Sequence, residues 1–99
     1  MTRIVFHPLA EREFIEAVRF YEARADGLGR DYIRQVERAL GYIAANPETG
    51  NVLTGTIRRW LVQRFPFAQL YQFSADEISV IAVMHLRRRP GYWKRRMKT

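Results

Sequence analysis

Residues 78–85, Ile-Ser-Val-Ile-Ala-Val-Met-His, constrain this chain more than any other segment. Read as a strand, Ile78, Val80, Ala82 and Met84 face one way, and Ile81 and Val83 the other. A strand apolar on both sides belongs at the centre of a sheet, beneath a helix layer on one face and partly covered on the other. At 99 residues the chain can build one such core, so a single domain is expected over 1–99. A hydrophobic content of 47% excludes a disordered basic tail.

The helical layer is written upstream. Arg3–Phe6 is short, β-branched and aromatic, and reads as a first strand ended by Pro8. Pro8 suits the first position of a helix, where its missing N–H costs nothing, and Glu11 and Glu13 follow where the dipole favours negative charge. Ala10, Phe14, Ala17, Val18, Tyr21 and Ala25 recur at helical spacing. Asp26-Gly-Leu-Gly29 breaks this helix, and a second begins near Arg30 with Ile33, Val36, Leu40, Ile43 and Ala44 on one face. Asn46-Pro47 stops it. So short a break predicts an antiparallel helical hairpin whose stripes face one surface.

Residues 48–56 read as a loop. Strands over Ile57–Gln63 and Phe67–Ser74 flank Phe65-Pro66, where Pro marks a turn, and Ser74–Glu77 turns into the central strand. The expected order is β-α-α-β-β-β, an α+β fold with the hairpin packed on a small, mainly antiparallel sheet.

Charge is distributed unevenly. From residue 57 onward ten Lys or Arg stand against Asp76 and Glu77, a net of +8, whereas residues 1–56 carry seven Arg against eight acids, a net of −1. A field this one-sided implies an anionic partner, either nucleic acid or an acidic protein segment. The chain has no cysteine, which excludes disulfide and thiol chemistry. Two histidines, His7 and His85, do not make a closed metal site, and Gly27-Leu-Gly29 is too short for a dinucleotide fingerprint. No cofactor is expected. With no apolar leader-like segment near Met1 and no stretch long enough to span a bilayer, a soluble cytoplasmic protein without membrane partners is expected.

Candidate binding residues are Arg58, Arg59, Arg64, Arg87, Arg88, Arg89, Tyr92, Trp93, Lys94, Arg95 and Arg96. Arg58 and Arg59, adjacent in a strand, must point to opposite faces. One of them lies away from the helices, either as a solvated edge residue or as a cation meeting a phosphate or carboxylate. His85 could act as a general acid or base, but a lone His at a strand end reads more simply as a capped, half-buried structural residue. Tyr92 and Trp93, interleaved with Lys94, Arg95 and Arg96, either stack on bases or fold back over the outer sheet face with the cations snorkelling outward. Trp60 and Phe65 belong to the core.

The order and spacing of several elements resemble the ParE/RelE superfamily of type II toxin–antitoxin systems. They are Pro8-x-Ala10-x-x-x-Phe14, Ala17-Val18-x-x-Tyr21, Gly27-Leu-Gly29, Ile43-x-x-x-Pro47 and Gly50, then Arg59-x-Leu61-x-x-Phe65-Pro66-Phe67, Leu70-Tyr71, and Ile81-x-Val83-x-His85 followed by basic residues. The resemblance spans nearly the whole chain. Relatives similar to RelE and YoeB cut messenger RNA on the ribosome, and those resembling ParE inhibit DNA gyrase. RelE-like nucleases carry an arginine just before the segment aligned on Tyr71, where this chain has Ala68 and Gln69. A cation is needed there to hold charge developing on the phosphate. Its loss, with the ParE-like Phe65-Pro66-Phe67, implies a gyrase-binding toxin. The alternative is a ribosome-dependent endoribonuclease using His85, Tyr92, Arg59, Arg64 and Arg88. Either way the resemblance implies a hetero-oligomer with a cognate ParD-like antitoxin, whose acidic segment folds onto the basic groove or adds a strand to a sheet edge.

Overall fold

The computed structural model describes residues 2–97. Lys98, counted above in the basic tail, lies outside the described residues. The elements are β1 (Arg3–Phe6), α1 (Pro8–Arg24), α2 (Leu28–Ala45), β2 (Asn51–Thr54), β3 (Ile57–Leu61), β4 (Phe67–Phe73), β5 (Glu77–His85) and a final 3-10 turn, Lys94–Met97. The helical hairpin packs on one five-stranded sheet of order β1-β5-β4-β3-β2. All neighbours run antiparallel except β1 and β5, which are parallel: the hairpin carries the chain from β1 to β2 at the opposite edge, and the antiparallel run β2-β3-β4-β5 returns it alongside β1. The α+β fold with a mainly antiparallel sheet is as expected.

Local chemistry sets the hairpin. His7 caps α1 by accepting the Leu9 N–H at Nδ1, 3.1 Å, and Pro8 occupies the first turn. The break between the helices is tighter than the sequence suggests. Glu22 accepts the N–H groups of Gly27 and Gly29 at 3.1 and 3.0 Å, so a side chain of α1 caps the start of α2. Gly29 is required by contact, because a Cβ there would stand 2.8 Å from the Val18 carbonyl oxygen. The helices therefore approach at their junction more closely than any other residue allows, and α2 begins at Leu28 rather than near Arg30.

The hydrophobic stripes meet the inner face of the sheet. Ala10, Ala17, Val36, Leu40 and Ile43 pack with Val62, Phe67, Tyr71, Ile78, Val80 and Val83. Tyr32, absent from the expected stripe, is fully buried and central to it: its ring lies 5.2–6.0 Å from those of Phe14, Tyr21, Phe65 and Phe67. Ala25, placed in that stripe, is exposed. Trp60 and Phe65 both pack against this core, half-buried, and Trp60 stacks on Tyr42 at 4.7 Å.

Two expectations are overturned. Residues 51–54, read as loop, form the edge strand β2, paired antiparallel with β3. Its exposed side chains and a register shift between Val52 and Thr54 remove the alternating apolar pattern by which strands are recognised. The simple alternation along β5 also fails. Tyr71 pairs with Val80 but Leu70 with Ala82, so Ile81 is an extra, bulged residue. The bulge turns Ala82 to the outer face beside Ile81, and Val83 back to the helices.

Candidate functional site: the outer sheet face and its basic rim

The bulge gives the sheet a second, smaller core. On the face away from the helices, Ile57, Leu70, Ile81 and Ala82 pack with Trp93, and Met84 and Tyr92 lie against them. Trp93 is 3% exposed. Of the two roles open to it, the geometry selects packing: the tail folds back and covers the outer face.

A buried latch holds the tail there. β1 pairs with β5 only as far as Val80, so the edge of β5 beyond it has no strand partner on that side. Two side chains stand in for one. Glu13, from α1, accepts the Val83 N–H at 3.0 Å, and Arg96, from the tail, donates to the Ile81 carbonyl at 3.0 Å. The same two residues join in a two-pronged ion pair of 2.7 and 2.9 Å, with only 9% of the Arg96 and 13% of the Glu13 side chain exposed. The Tyr92 hydroxyl donates to Glu13 at 2.7 Å. Burial, then the Glu13 hydrogen bond, raise the Tyr92 phenol well above its ordinary range. The Arg96 guanidinium is held charged more firmly still by its bond to Glu13. The sequence places Arg96 among the outward-reaching free cations. Here it is a structural one.

Arg58 is also engaged internally. It points to the helix side of β3, donates to the carbonyls of Glu48 and Gly50 at 2.7 and 2.9 Å, and lies over the Phe73 ring. With Tyr71, whose hydroxyl bonds both Pro47 and Gly50, it fastens the α2–β2 connection to the sheet. Arg59, its neighbour, takes the outer face. There it joins Arg88 and Lys94 around a cleft of about 340 Å³ whose apolar lining is Leu53, Met84, Leu86, Pro90 and Trp93. Arg88 lies over Tyr92, 3.8 Å from the ring centroid, with Arg96 also against that ring at 5.0 Å. Arg87, Arg89 and Arg95 are exposed.

Of the five residues of the nuclease alternative, His85 and Arg88 share a cleft and Arg88 lies over Tyr92, but Arg59 and Arg64 lie elsewhere. His85 stacks edge-on to Phe67 on the helix side and accepts the Arg87 N–H at Nδ1, 3.0 Å, as a turn cap. It shares a separate cleft with Glu13, Glu16, Phe20 and Arg88. Arg59 is on the opposite face. The Tyr92 hydroxyl is occupied by Glu13. Arg64 is exposed in the β3–β4 turn at a left-handed φ of 70°. Ala68, the residue aligned with the nuclease arginine, is fully buried, and its register neighbours are Leu61 and Met84. Among the described residues no group of three or more His, Cys, Asp or Glu could hold a metal ion, and no helix is long and apolar enough to cross a membrane.

A helical hairpin on this sheet, with a bulge in β5, which is an interior strand beside the central β4, and a basic tail across the outer face, can be compared with known proteins. The family model described as "ParE toxin of type II toxin-antitoxin system, parDE" matches residues 4–90. The chain belongs to the ParE toxin family. Among solved structures it is similar to a chain of the "Chromosomal ParDE TA system from P. aeruginosa", with a TM-score of 0.70 and 14% identity, over 88% of this chain and 98% of that one. At that identity the likeness concerns the fold. No curated protein matches it in sequence. This is a ParE-type toxin of a type II toxin–antitoxin system, and the family implies a cognate antitoxin as its partner.

Sequence reasoning missed Glu13, which reads there only as a dipole-favouring charge, and the cleft residues Leu53, Met84 and Leu86. A carboxylate on the same helix side as buried Ala10 and Ala17 is the available signal, because a charge facing a core needs a partner.

Proposed function

We propose that this ParE toxin, as one domain over residues 1–99, arrests growth by binding DNA gyrase. A cognate ParD-like antitoxin neutralises it in the cytoplasm through an acidic segment, as a hetero-oligomer. The observation that carries this reading is the division of the cations. Arg58 and Arg96 are tied into the fold, whereas Arg59, Arg88 and Lys94 line one cleft and Arg87, Arg89 and Arg95 are exposed near it in the chain. Among the described residues none of these six pairs with a carboxylate. Cations left without a counter-charge on one face support a binding role. General acid–base catalysis needs a free proton donor and acceptor within hydrogen-bond reach of one substrate position, but the Tyr92 hydroxyl is engaged by Glu13 and the His85 Nδ1 by the Arg87 N–H, while Arg59 lies on the opposite face of the sheet from His85. The free cations of the 87–96 segment, with Arg59, form the proposed contact for gyrase, and the antitoxin competes by covering them.

The test runs purified toxin in a gyrase supercoiling assay beside cleavage of messenger RNA on translating ribosomes. Lost supercoiling or stabilised DNA breaks, with intact message, is the expected result. Cut message with unaffected gyrase would replace this reading with the nuclease.

A further inference from the structure

The two edges of the sheet are built differently. At one, β2 is broken by its register shift and runs beside Arg58 and Arg59 of β3. Bulges and cations are devices that keep an edge strand from pairing with another chain. β1, at the other edge, has neither. Its four residues pair with β5 in unbroken register, and its one cation, Arg3, is already neutralised by Glu77.

β1 also offers main-chain groups. The N–H groups of Arg3 and His7 reach the carbonyls of Asp76 and Val80, so Arg3, Val5 and His7 turn their peptide groups towards β5. Ile4 and Phe6, between them, turn theirs outward, to a side where no strand lies among the described residues. The side chains around these groups are apolar and exposed. Val5 is on the outer face with Arg3, Ile4 shares the helix side with Phe6, and Leu9 stands at the start of α1. α1 lies over β5 more than over β1, which leaves the helix side of Ile4 open.

An acidic segment would find no unpaired cation in β1. A second copy of the chain fits better. Two-fold pairing about Val5 sets β1 antiparallel to the partner's β1, with Ile4 opposite the partner's Phe6 and Phe6 opposite the partner's Ile4. The outward N–H and C=O groups of both copies then satisfy one another. Val5 faces the partner's Val5 in the closer, non-hydrogen-bonded kind of pair, with Cα atoms about 4.5 Å apart. Arg3 comes opposite the partner's His7, so no two arginines meet. The same operation at β2 would bring Arg58 and Arg59 of two copies together.

We propose that this toxin self-associates through β1, as a two-fold dimer with one continuous sheet. The outer faces of the two copies lie side by side, and the Arg59 clefts, at the far edges, stay uncovered. The contact is short, so it belongs with small, reversible interfaces, and the dimer dissociates with a constant of about 1–100 μM. Neither the gyrase nor the antitoxin reading is needed for it.

The experiment is sedimentation equilibrium of the full chain from about 1 to 300 μM. The expected result is a monomer–dimer equilibrium that Val5→Asp weakens at least about tenfold, because it sets two carboxylates directly opposite each other. Val52→Asp, exposed at the β2 edge, changes it less than about threefold. Because the chain has no cysteine, Val5→Cys supplies a single thiol at the two-fold axis, at a spacing that a disulfide spans. In mild oxidant it closes a covalent dimer at least about tenfold faster than Val52→Cys at the same concentration, a readout independent of how the Asp variants fold. Wild-type chain that stays monomeric at about 300 μM overturns the proposal. So does a dimer that Val52→Asp breaks or that folded Val5→Asp leaves intact, and so do equal rates of disulfide closure at the two positions. A Val5→Cys thiol shielded from maleimide only when antitoxin is added assigns the edge to the antitoxin, and overturns self-association while the proposed function stands.

Discussion

Glu13→Ala would expose how much of this fold hangs on one side chain. Glu13 accepts from Val83, Tyr92 and Arg96 in a site where its side chain is 13% exposed. Removing the carboxylate leaves the Arg96 guanidinium buried without its counter-charge, which costs about 3–5 kcal/mol when one partner of a buried pair is deleted. That is a large share of the roughly 5–15 kcal/mol that stabilises a domain of this size. With a urea m-value of about 2 kcal/mol/M, the unfolding midpoint falls by about 2 M. A double-mutant cycle separates the pair from its surroundings. Arg96→Met alone orphans the carboxylate, and Glu13→Met alone orphans the guanidinium. The double variant buries neither charge, so it costs less than the two single changes together, with a coupling of about 2–3 kcal/mol. It does not return to wild type, because the Val83 N–H and Tyr92 hydroxyl still lack an acceptor, at about 1–3 kcal/mol for a buried orphan. Urea denaturation followed by tryptophan fluorescence reads this directly, since Trp93 belongs to the same tail and packs it on the outer face. A coupling below about 0.5 kcal/mol, or a Glu13→Ala loss below about 1 kcal/mol, would refute the latch.

The other expectations concern the sheet, pH and salt. Gly50→Ala places a Cβ against the Tyr71 hydroxyl and breaks its bonds to Gly50 and Pro47, so thermal unfolding should show a loss of about 1–3 kcal/mol, with Tyr71→Phe losing a similar amount. Burial raises the Tyr32 and Tyr92 phenols in the folded state. The folded protein therefore holds these protons more tightly than the unfolded chain. Stability should be level to about pH 9 and fall above about pH 10, with a shallower fall in Tyr92→Phe; a flat alkaline limb would contradict the burial. Raising salt from about 0.1 to 1 M shortens the screening length from about 10 to 3 Å, so antitoxin binding should weaken steeply while the latch coupling persists. Gln69 is fully buried with neither amide atom bonded to the protein, and Gln69→Met should stabilise the fold by about 1–2 kcal/mol in the same urea assay.

Period and punctuation make most of the architecture legible. Both helices, three of the five strands to within two residues at their ends, and the first strand are marked by apolar spacing and by Pro8, Asn46-Pro47 and Pro66. What stays hidden lacks a periodic signature. β2 is exposed on both faces and bulged, so no alternation marks it. The bulge at Ile81 inserts one residue into a run in which every candidate position is apolar, and composition cannot show which one is extra. Tyr32 escapes the apolar pattern because its neighbour Ile33 is the more hydrophobic residue one position on; the ring's size, filling the space between the hairpin and Phe67, decides which of the two faces inward. Of the candidate site, the basic residues can be read but their employment cannot. Arg58 and Arg59 look alike in sequence, and strand alternation says only that they part company.

That parting explains how a small toxin carries so much positive charge and still closes a core. Like charges crowded on one surface repel and destabilise the compact state. This chain sends part of its excess inward. Arg58 is neutralised by carbonyl dipoles of the loop it fastens, and Arg96 by a carboxylate borrowed from the acidic half of the sequence. The two aromatics of the tail then cover the outer face, with Trp93 in the small core and Tyr92 as a platform that fixes Arg88. The cations left over, Arg59 and Lys94 with Arg88, stand beside that platform because the latch puts the tail there. The same contacts that finish the fold therefore shape the proposed binding surface, and a partner that neutralised those cations would act on a face the toxin cannot rearrange without breaking a buried ion pair.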